Sequence, residues 1–230
     1  MEYAAQPPVA VARTDSNFLQ RVFLWMFTGL ALTGAVAAAI GASDTLLTDI
    51  TETPGIIIGV IVAQLAIVFG LSFAINRISV GVATFLFLLY SATVGVTFAF
   101  IFELYTTQSI FTAFLITAGM FGALAVWGAV TDIDLSKVGS IAFMALIGLI
   151  LATVVNLFWA NSTLYWITTY AGVAIFAALT AYDMQKLTQI NREGISGDEA
   201  GRAAIMGALA LYLDFINLFL FLLRIFGQQR

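Results

Sequence analysis

The sequence predicts an all-α membrane protein with seven transmembrane helices. Of the 230 residues, 61% are hydrophobic and only 10% are charged, whereas ordinary soluble domains carry about 25% charged residues. A helix that crosses a bilayer needs about 20 apolar residues, and seven stretches of that kind follow one another along the chain. They lie at roughly residues 18–41, 55–75, 80–104, 109–129, 139–159, 163–186 and 204–226.

These stretches form one transmembrane domain, residues 18–227, preceded by a short tail. Residues 1–17 are polar and contain two of the three prolines, so we expect a disordered cytoplasmic tail. The first apolar run is too long for the hydrophobic region of a signal peptide, and no cleavable signal is expected.

Small residues in two of the stretches indicate close helix packing. At a spacing of about four residues they lie on one helical face, where another helix can approach closely. The residues concerned are Gly29, Thr33, Ala37 and Gly41 in the first stretch and Gly119, Gly122 and Gly128 in the fourth.

Polar connections separate the stretches and predict the orientation of the chain. The connections 42–54, 105–108 and 160–162 contain no lysine or arginine, and cytoplasmic connections are the ones enriched in these residues. We therefore expect the N-terminus on the cytoplasmic side. The N-terminal tail and the connections after the second, fourth and sixth stretches, with the helix ends beside them, carry most of the bases. The longest of these connections is predicted at about 187–203, and these bases are Arg13, Arg21, Arg77, Lys137, Lys186, Arg192 and Arg202.

The composition excludes several classes of function. The chain has no cysteine and no histidine, which rules out a disulfide framework, zinc sites that use histidine and a Ser-His-Asp triad. It has no basic run of the kind that binds nucleic acid. We expect a protein that is not an enzyme, holds no cofactor and has the lipid bilayer as its surroundings.

Two acids in the last two apolar stretches are the candidate functional residues. Asp214 lies in the middle of Leu209 to Arg224, where a carboxylate at bilayer depth costs about 2.5–3.5 kcal/mol or more, so it should face the bundle interior. Asn217 lies on the same helical face. Asp183, near the end of the preceding stretch, is the best candidate for a partner, and in the expected topology both acids lie in the cytoplasmic half.

Two neighbouring carboxylates in a low dielectric cannot easily both ionise, so the pair is expected to share one proton. Such a pair can hold a pore shut by a hydrogen bond, and after losing the proton it repels itself and attracts cations. It can also offer oxygen ligands to a hard cation such as Ca²⁺. Arg77, at the end of the second stretch, is a candidate counter-charge.

Other interpretations of these residues remain open at this point. Asp183 can be an interfacial acid that pairs with Lys186, and Asp214 can make a purely structural buried hydrogen bond. Glu103 fits a solvated helix end. A Tyr-Asp on one helix and an Asp on the next also invite comparison with intramembrane aspartyl proteases, but the Gly-x-Gly-Asp that those enzymes need is absent around Asp214.

Four segments resemble the Bax inhibitor family, also called the lifeguard family. They are LTAYDMQKL (179–187), LYLDFINLFLFLLRIFG (211–227), NRISVGVATF (76–85) and DLSKVGSIAFMALIG (134–148), so the resemblance covers most of residues 18–227. It implies a seven-helix fold with the last helix central, in a bacterial inner-membrane member.

The resemblance also implies a pH-dependent calcium leak gated by a di-aspartyl pair, here Asp183 and Asp214. Arg77 is the nearest match to a basic latch in relatives, with Asn217 a further pore-lining candidate, and Gln64 stands where some members carry an acid. The alternative function is a non-conducting membrane protein that modulates a membrane-bound protease.

Overall fold

Eight α-helices and one 3-10 turn make up the described part of this computed structural model. The structure describes residues 17–229, apart from the side chains of residues 44, 49, 51 and 54. Residues 1–16 of the predicted cytoplasmic tail lie outside the described residues, as does residue 230. The helices are α1 (Phe18–Gly41), α2 (Asp44–Glu52), α3 (Pro54–Ala74), α4 (Val80–Leu104), α5 (Thr107–Val130), α6 (Ser136–Trp159), α7 (Ser162–Glu193) and α8 (Gly197–Phe226), with the 3-10 turn Ile75–Arg77 after α3.

Seven of these helices are long and apolar enough to cross a membrane, which confirms the predicted fold class. The eighth, α2, lies in the segment 42–54 that was predicted as a loop. The hydroxyl of Ser43 accepts a hydrogen bond from the backbone N–H of Leu46 at 3.4 Å and caps this short helix. Hydropathy did not reveal α2 because only three of its nine residues are apolar and it is too short to cross a bilayer.

The prediction of a long loop at 187–203 is wrong, because α7 and α8 continue through most of this segment. α7 has 32 residues, which corresponds to about 48 Å of helix, well beyond the ~30 Å hydrocarbon core of a bilayer. Apolar length therefore located only the membrane-embedded part of each helix. α7 ends where Gly194 takes a left-handed conformation at φ 77°, which glycine adopts without the steric cost of a side chain.

The last helix is central, as the family resemblance implied. In its most apolar 18-residue window 72% of α8 is buried, against 6% for α3 with its 3-10 turn and 11% for α6. α8 packs against α1, α4, α5 and α7, whereas α3 packs mainly on α4, and α6 on α7. Two outer helices thus flank a core of five.

Close approach at small residues holds α1 against α4. A Cβ atom at Gly29 would lie 2.6 Å from Phe87 Cζ, and one at Gly95 would lie 2.8 Å from the carbonyl oxygen of Thr33. Thr33 and Ala37 are buried on the same stripe of α1, which confirms the predicted packing face of the first helix.

In α5 the predicted glycine face is only partly right. A Cβ atom at Gly128 would overlap the carbonyl oxygen of Ala181 in α7, so this glycine is required for the helix contact. At Gly119 and Gly122 an added Cβ would meet no described atom within 4 Å. The expectation of close packing is wrong at these two positions because their Cα faces open space rather than a neighbouring helix.

Candidate functional site

A cavity of about 1110 Å³ lies between the outer helices α3 and α6 and the inner helices α7 and α8. α3 and α6 form opposite walls and have no extensive interface with each other among the described residues, so the cavity is open between them. Most of the lining is apolar. The polar and charged side chains on its walls are Gln64, Tyr90, Ser140, Thr153, Tyr182, Asp183, Lys186, Asp214, Asn217 and Arg224.

The stripe of α8 that faces the cavity follows from helical geometry. Positions 210, 214, 217, 221 and 224 all line it, and a spacing of three or four residues keeps side chains on one helical face. This stripe therefore places one acid, Asp214, one amide, Asn217, and one base, Arg224, along a single line. The opposite face of α8 packs into the protein core.

Asp214 is a buried carboxylate with an unsatisfied oxygen. Its side chain is 4% exposed, and Oδ2 has no hydrogen-bond partner within residues 17–229. An unpaired polar atom removed from water is costly, and such atoms in a native structure call for a physical explanation. The location of this oxygen beside a cavity gives it access to a mobile partner, a proton or a cation.

Asp183 lies on the α7 wall of the same cavity and is less buried than Asp214. Its carboxylate repels that of Asp214 electrostatically and is attracted by Lys186, one helical turn further along α7. The structure thus brings together the two acids that the sequence singled out. It also retains the predicted neighbour relation between Asp183 and Lys186.

Two amide side chains add further oxygens to the cavity. The Asn217 amide donates from Nδ2 to the carbonyl of Leu213 at 2.8 Å. The Gln64 amide donates from Nε2 to the carbonyl of Thr93 at 2.9 Å and to Thr97 Oγ1 at 3.2 Å. In both cases the donor end is held by the protein, so the acceptor oxygen is the end available to a cation.

The position of α7 near Asp183 is fixed by a buried amide, Gln185. Its Nε2 donates to the carbonyl of Ile133 at 2.8 Å, and its Oε1 accepts from the N–H of Leu135 at 2.9 Å. Both partners lie in the connection between α5 and α6. Asp134 lies between these two partners, and its carboxylate accepts a hydrogen bond from the backbone N–H of Ser136 at 2.9 Å. Hydrogen bonding from Ser136 lowers the pKa of this exposed carboxyl.

The core side of α8 is fixed by a hydroxyl network. Thr33 Oγ1 lies 2.8 Å from the carbonyl oxygen of Ser91 and 2.6 Å from Tyr212 Oη. Since the single hydroxyl proton of Thr33 is donated to the carbonyl, Tyr212 is the donor to Thr33. Tyr212 is fully buried, so this network anchors α8 to α1 and α4 two residues before Asp214.

Comparison with known proteins identifies the family. The family model described as "Inhibitor of apoptosis-promoting Bax1" matches residues 15–230. The chain belongs to the Bax inhibitor family. Its relatives in this family include the inner membrane protein YbhL of Escherichia coli, which is 46% identical over 93% of this chain and 92% of its own length. Uncharacterized proteins of Deinococcus radiodurans and Borreliella burgdorferi are 44% and 42% identical, over 93% and 94% of this chain and 91% and 93% of their own lengths.

Within this Bax inhibitor family member the structure separates the predicted site residues. Asp183, Asp214 and Asn217 line one cavity. Arg77 is exposed at the end of the 3-10 turn and is not among the residues that line it, so the structure does not bring Arg77 to the acid pair. Its role as a latch stays a prediction.

Arg224 is the site residue that the sequence reasoning missed. It was named above only as the end of the apolar segment Leu209 to Arg224 and was given no role. Its spacing from Asp214 could have revealed it. The two residues are ten positions apart, in steps of three, four and three, and such steps keep side chains on one face of a helix. Tyr90 of α4 also lines the cavity, and nothing in the sequence pattern directed it there.

Proposed function

We propose that this protein is a pH-sensitive calcium leak of the bacterial inner membrane, gated by the pair Asp183 and Asp214. The observation that carries the proposal is the unpartnered Oδ2 of Asp214, buried beside a cavity that Asp183 also lines. A membrane-buried acid in such a position is by default a candidate for an ion or proton path.

The chemistry of the gate follows from the coupling of the two acids. When they share a proton, the pair carries one negative charge and a hydrogen bond that ties α7 to α8. When the proton leaves, two carboxylates repel each other across the cavity and attract a divalent cation. Because the two sites interact strongly, they titrate as a unit rather than as separate residues.

Calcium enters this proposal as the transported ion and not as a bound cofactor. The cavity offers the two carboxylates and the amide oxygens of Asn217 and Gln64. Among the described residues no group of three or more acidic, histidine or cysteine side chains converges on one point, whereas a stable calcium site takes 6–8 oxygen ligands. A partial set completed by water suits an ion that binds briefly and passes on.

We further propose that the N-terminus and the connection between α7 and α8 are cytoplasmic. Support comes from the distribution of lysine and arginine described above, which follows the positive-inside rule. A reporter inserted at 194–196, between the helices, should then report the cytoplasm, and one in 42–54 the periplasm. The same location for both would contradict the seven-span orientation.

The direct test of function is calcium flux into dye-loaded proteoliposomes that contain only this protein. A flux that rises between about pH 5 and pH 8, and is absent from protein-free vesicles, is the expected result. Absence of protein-dependent flux at every pH would reject the leak and leave the alternative, a non-conducting protein that modulates a membrane-bound protease.

A further inference from the structure

We propose that the Arg224 end of the cavity binds the anionic phosphate headgroup of a membrane phospholipid, with an acyl chain of that lipid lying between α3 and α6. The proposal concerns a different part of the cavity from the acid pair. It does not depend on whether the cavity conducts calcium.

The first observation is a guanidinium, that of Arg224, with no ion-pair partner among the described residues 17–229. Arg224 is partly buried on the cavity wall, and its guanidinium carbon lies 5.6 Å from the ring centre of Tyr165 and 5.3 Å from that of Phe221. No carboxylate within residues 17–229 forms an ion pair with it. A partly buried arginine held only by aromatic rings keeps its planar set of N–H donors for an anion, and phosphate matches that geometry.

The second observation is the level of this group in the membrane. Arg224 lies two residues before the end of α8, and Tyr165 lies three residues after the start of α7. Trp166 stacks on Tyr170 next to it, and tyrosine and tryptophan are enriched at the level of lipid headgroups. Arg224 is therefore at the headgroup level of one leaflet, whichever way the protein is oriented.

The third observation is the apolar path that leads inward from Arg224. The cavity is lined by Leu65, Val68 and Phe69 from α3 and by Leu149, Ile150 and Val154 from α6, and it is open to the bilayer between these two helices. The acids lie at the other end, with Asp214 about 15 Å from Arg224 along the helix. An anionic headgroup is attracted at the Arg224 end, whereas at the other end the two acids outnumber the one base that lines the cavity there, Lys186. Charge therefore favours a lipid whose headgroup lies at Arg224.

Lipid titration of the purified full-length protein in an uncharged detergent tests this site. The readout is the midpoint of thermal unfolding against the concentration of dioleoylphosphatidylglycerol, with dioleoylphosphatidylcholine and inorganic phosphate as parallel arms. We expect phosphatidylglycerol to raise the midpoint, and Arg224→Gln to increase the half-saturating concentration at least about fivefold through loss of a charge-assisted contact. The matched control is Arg192→Gln, which removes an exposed charge at the opposite end of α7 and should titrate like the wild type.

The proposal would be overturned by an unchanged phosphatidylglycerol titration in Arg224→Gln, by an equal loss in Arg192→Gln, or by an equal stabilisation with inorganic phosphate alone. A second variant covers the case in which Arg224→Gln does not fold. Thr153→Trp fills the cavity from α6 without altering Arg224, since Thr153 bonds only within its own helix, to the carbonyl of Leu149 at 2.8 Å. It should weaken phosphatidylglycerol binding to a similar extent, and wild-type binding by this variant would contradict an acyl chain in the cavity.

Discussion

Replacing Gly128 by alanine probes the helix contact that sets the position of α7 near the acid pair. A Cβ atom at Gly128 would overlap the carbonyl oxygen of Ala181 and approach the Cα atom of Ala181 to 2.9 Å. These are backbone atoms, so no side-chain rotation relieves the overlap, and α5 and α7 must separate. Overpacking of this kind costs about 1–3 kcal/mol.

The matched control is Gly122→Ala, six residues earlier in α5, where an added Cβ meets no described atom within 4 Å. There alanine should stabilise the helix by about 0.5–1 kcal/mol, because glycine loses more backbone entropy on folding. The difference between the two variants therefore isolates the clash, at about 1–3 kcal/mol. Unfolding in detergent micelles, followed by circular dichroism, measures it, and equal stability of the two variants would refute the close contact between α5 and α7.

Three further predictions concern other parts of the molecule. Gln185→Leu should cost about 1–3 kcal/mol because it leaves the buried backbone N–H of Leu135 without its acceptor, measured by unfolding in micelles, and a neutral effect would show that this hydrogen bond is not needed. Arg77→Ala tests the predicted latch: the exposed position of this side chain outside the cavity favours an unchanged pH midpoint of calcium flux, whereas an upward shift would support Arg77 as a latch for the ionised acids. The pKa of Asp134 lies below its ordinary 3.8, so the hydrogen bond to Ser136 stabilises the fold above that pH and is lost as the pH falls through the lowered value. Asp134→Ala should thus unfold more easily than the wild type at pH 7, and the difference should narrow progressively as the pH falls below 3.8, whereas a difference that does not change with pH would argue against this source of stability.

The sequence was sufficient for the number and location of the membrane helices because apolar length is a direct consequence of bilayer thickness. The same reasoning explains its errors at the ends of α7 and α8. Once a helix leaves the hydrocarbon, hydropathy no longer distinguishes helix from loop. The polar residues that end α7 and begin α8 are helical, and only residues 194–196 connect the two helices.

Site residues could be predicted from the sequence where a side chain is chemically unusual for its surroundings. An acid such as Asp214, inside an apolar run, is conspicuous in any membrane sequence, and both acids indeed line one cavity. Arg224 was not conspicuous, because a base near a helix end is normal at a membrane interface. The difference between Gly128 and Gly122 was also out of reach, since it depends on which helix lies opposite each glycine.

The measurement that tests the central proposal most directly is calcium flux between about pH 5 and pH 8 for the wild type, Asp183→Asn, Asp214→Asn and the double variant. If the two acids share a proton, either single replacement removes the coupled ionisation. Each single variant should then lose most of the pH dependence, and the double variant should add little, because residues that act as a unit are not additive. Two independent, additive shifts of the pH midpoint would contradict the shared proton, and full pH dependence in the double variant would place the sensor elsewhere.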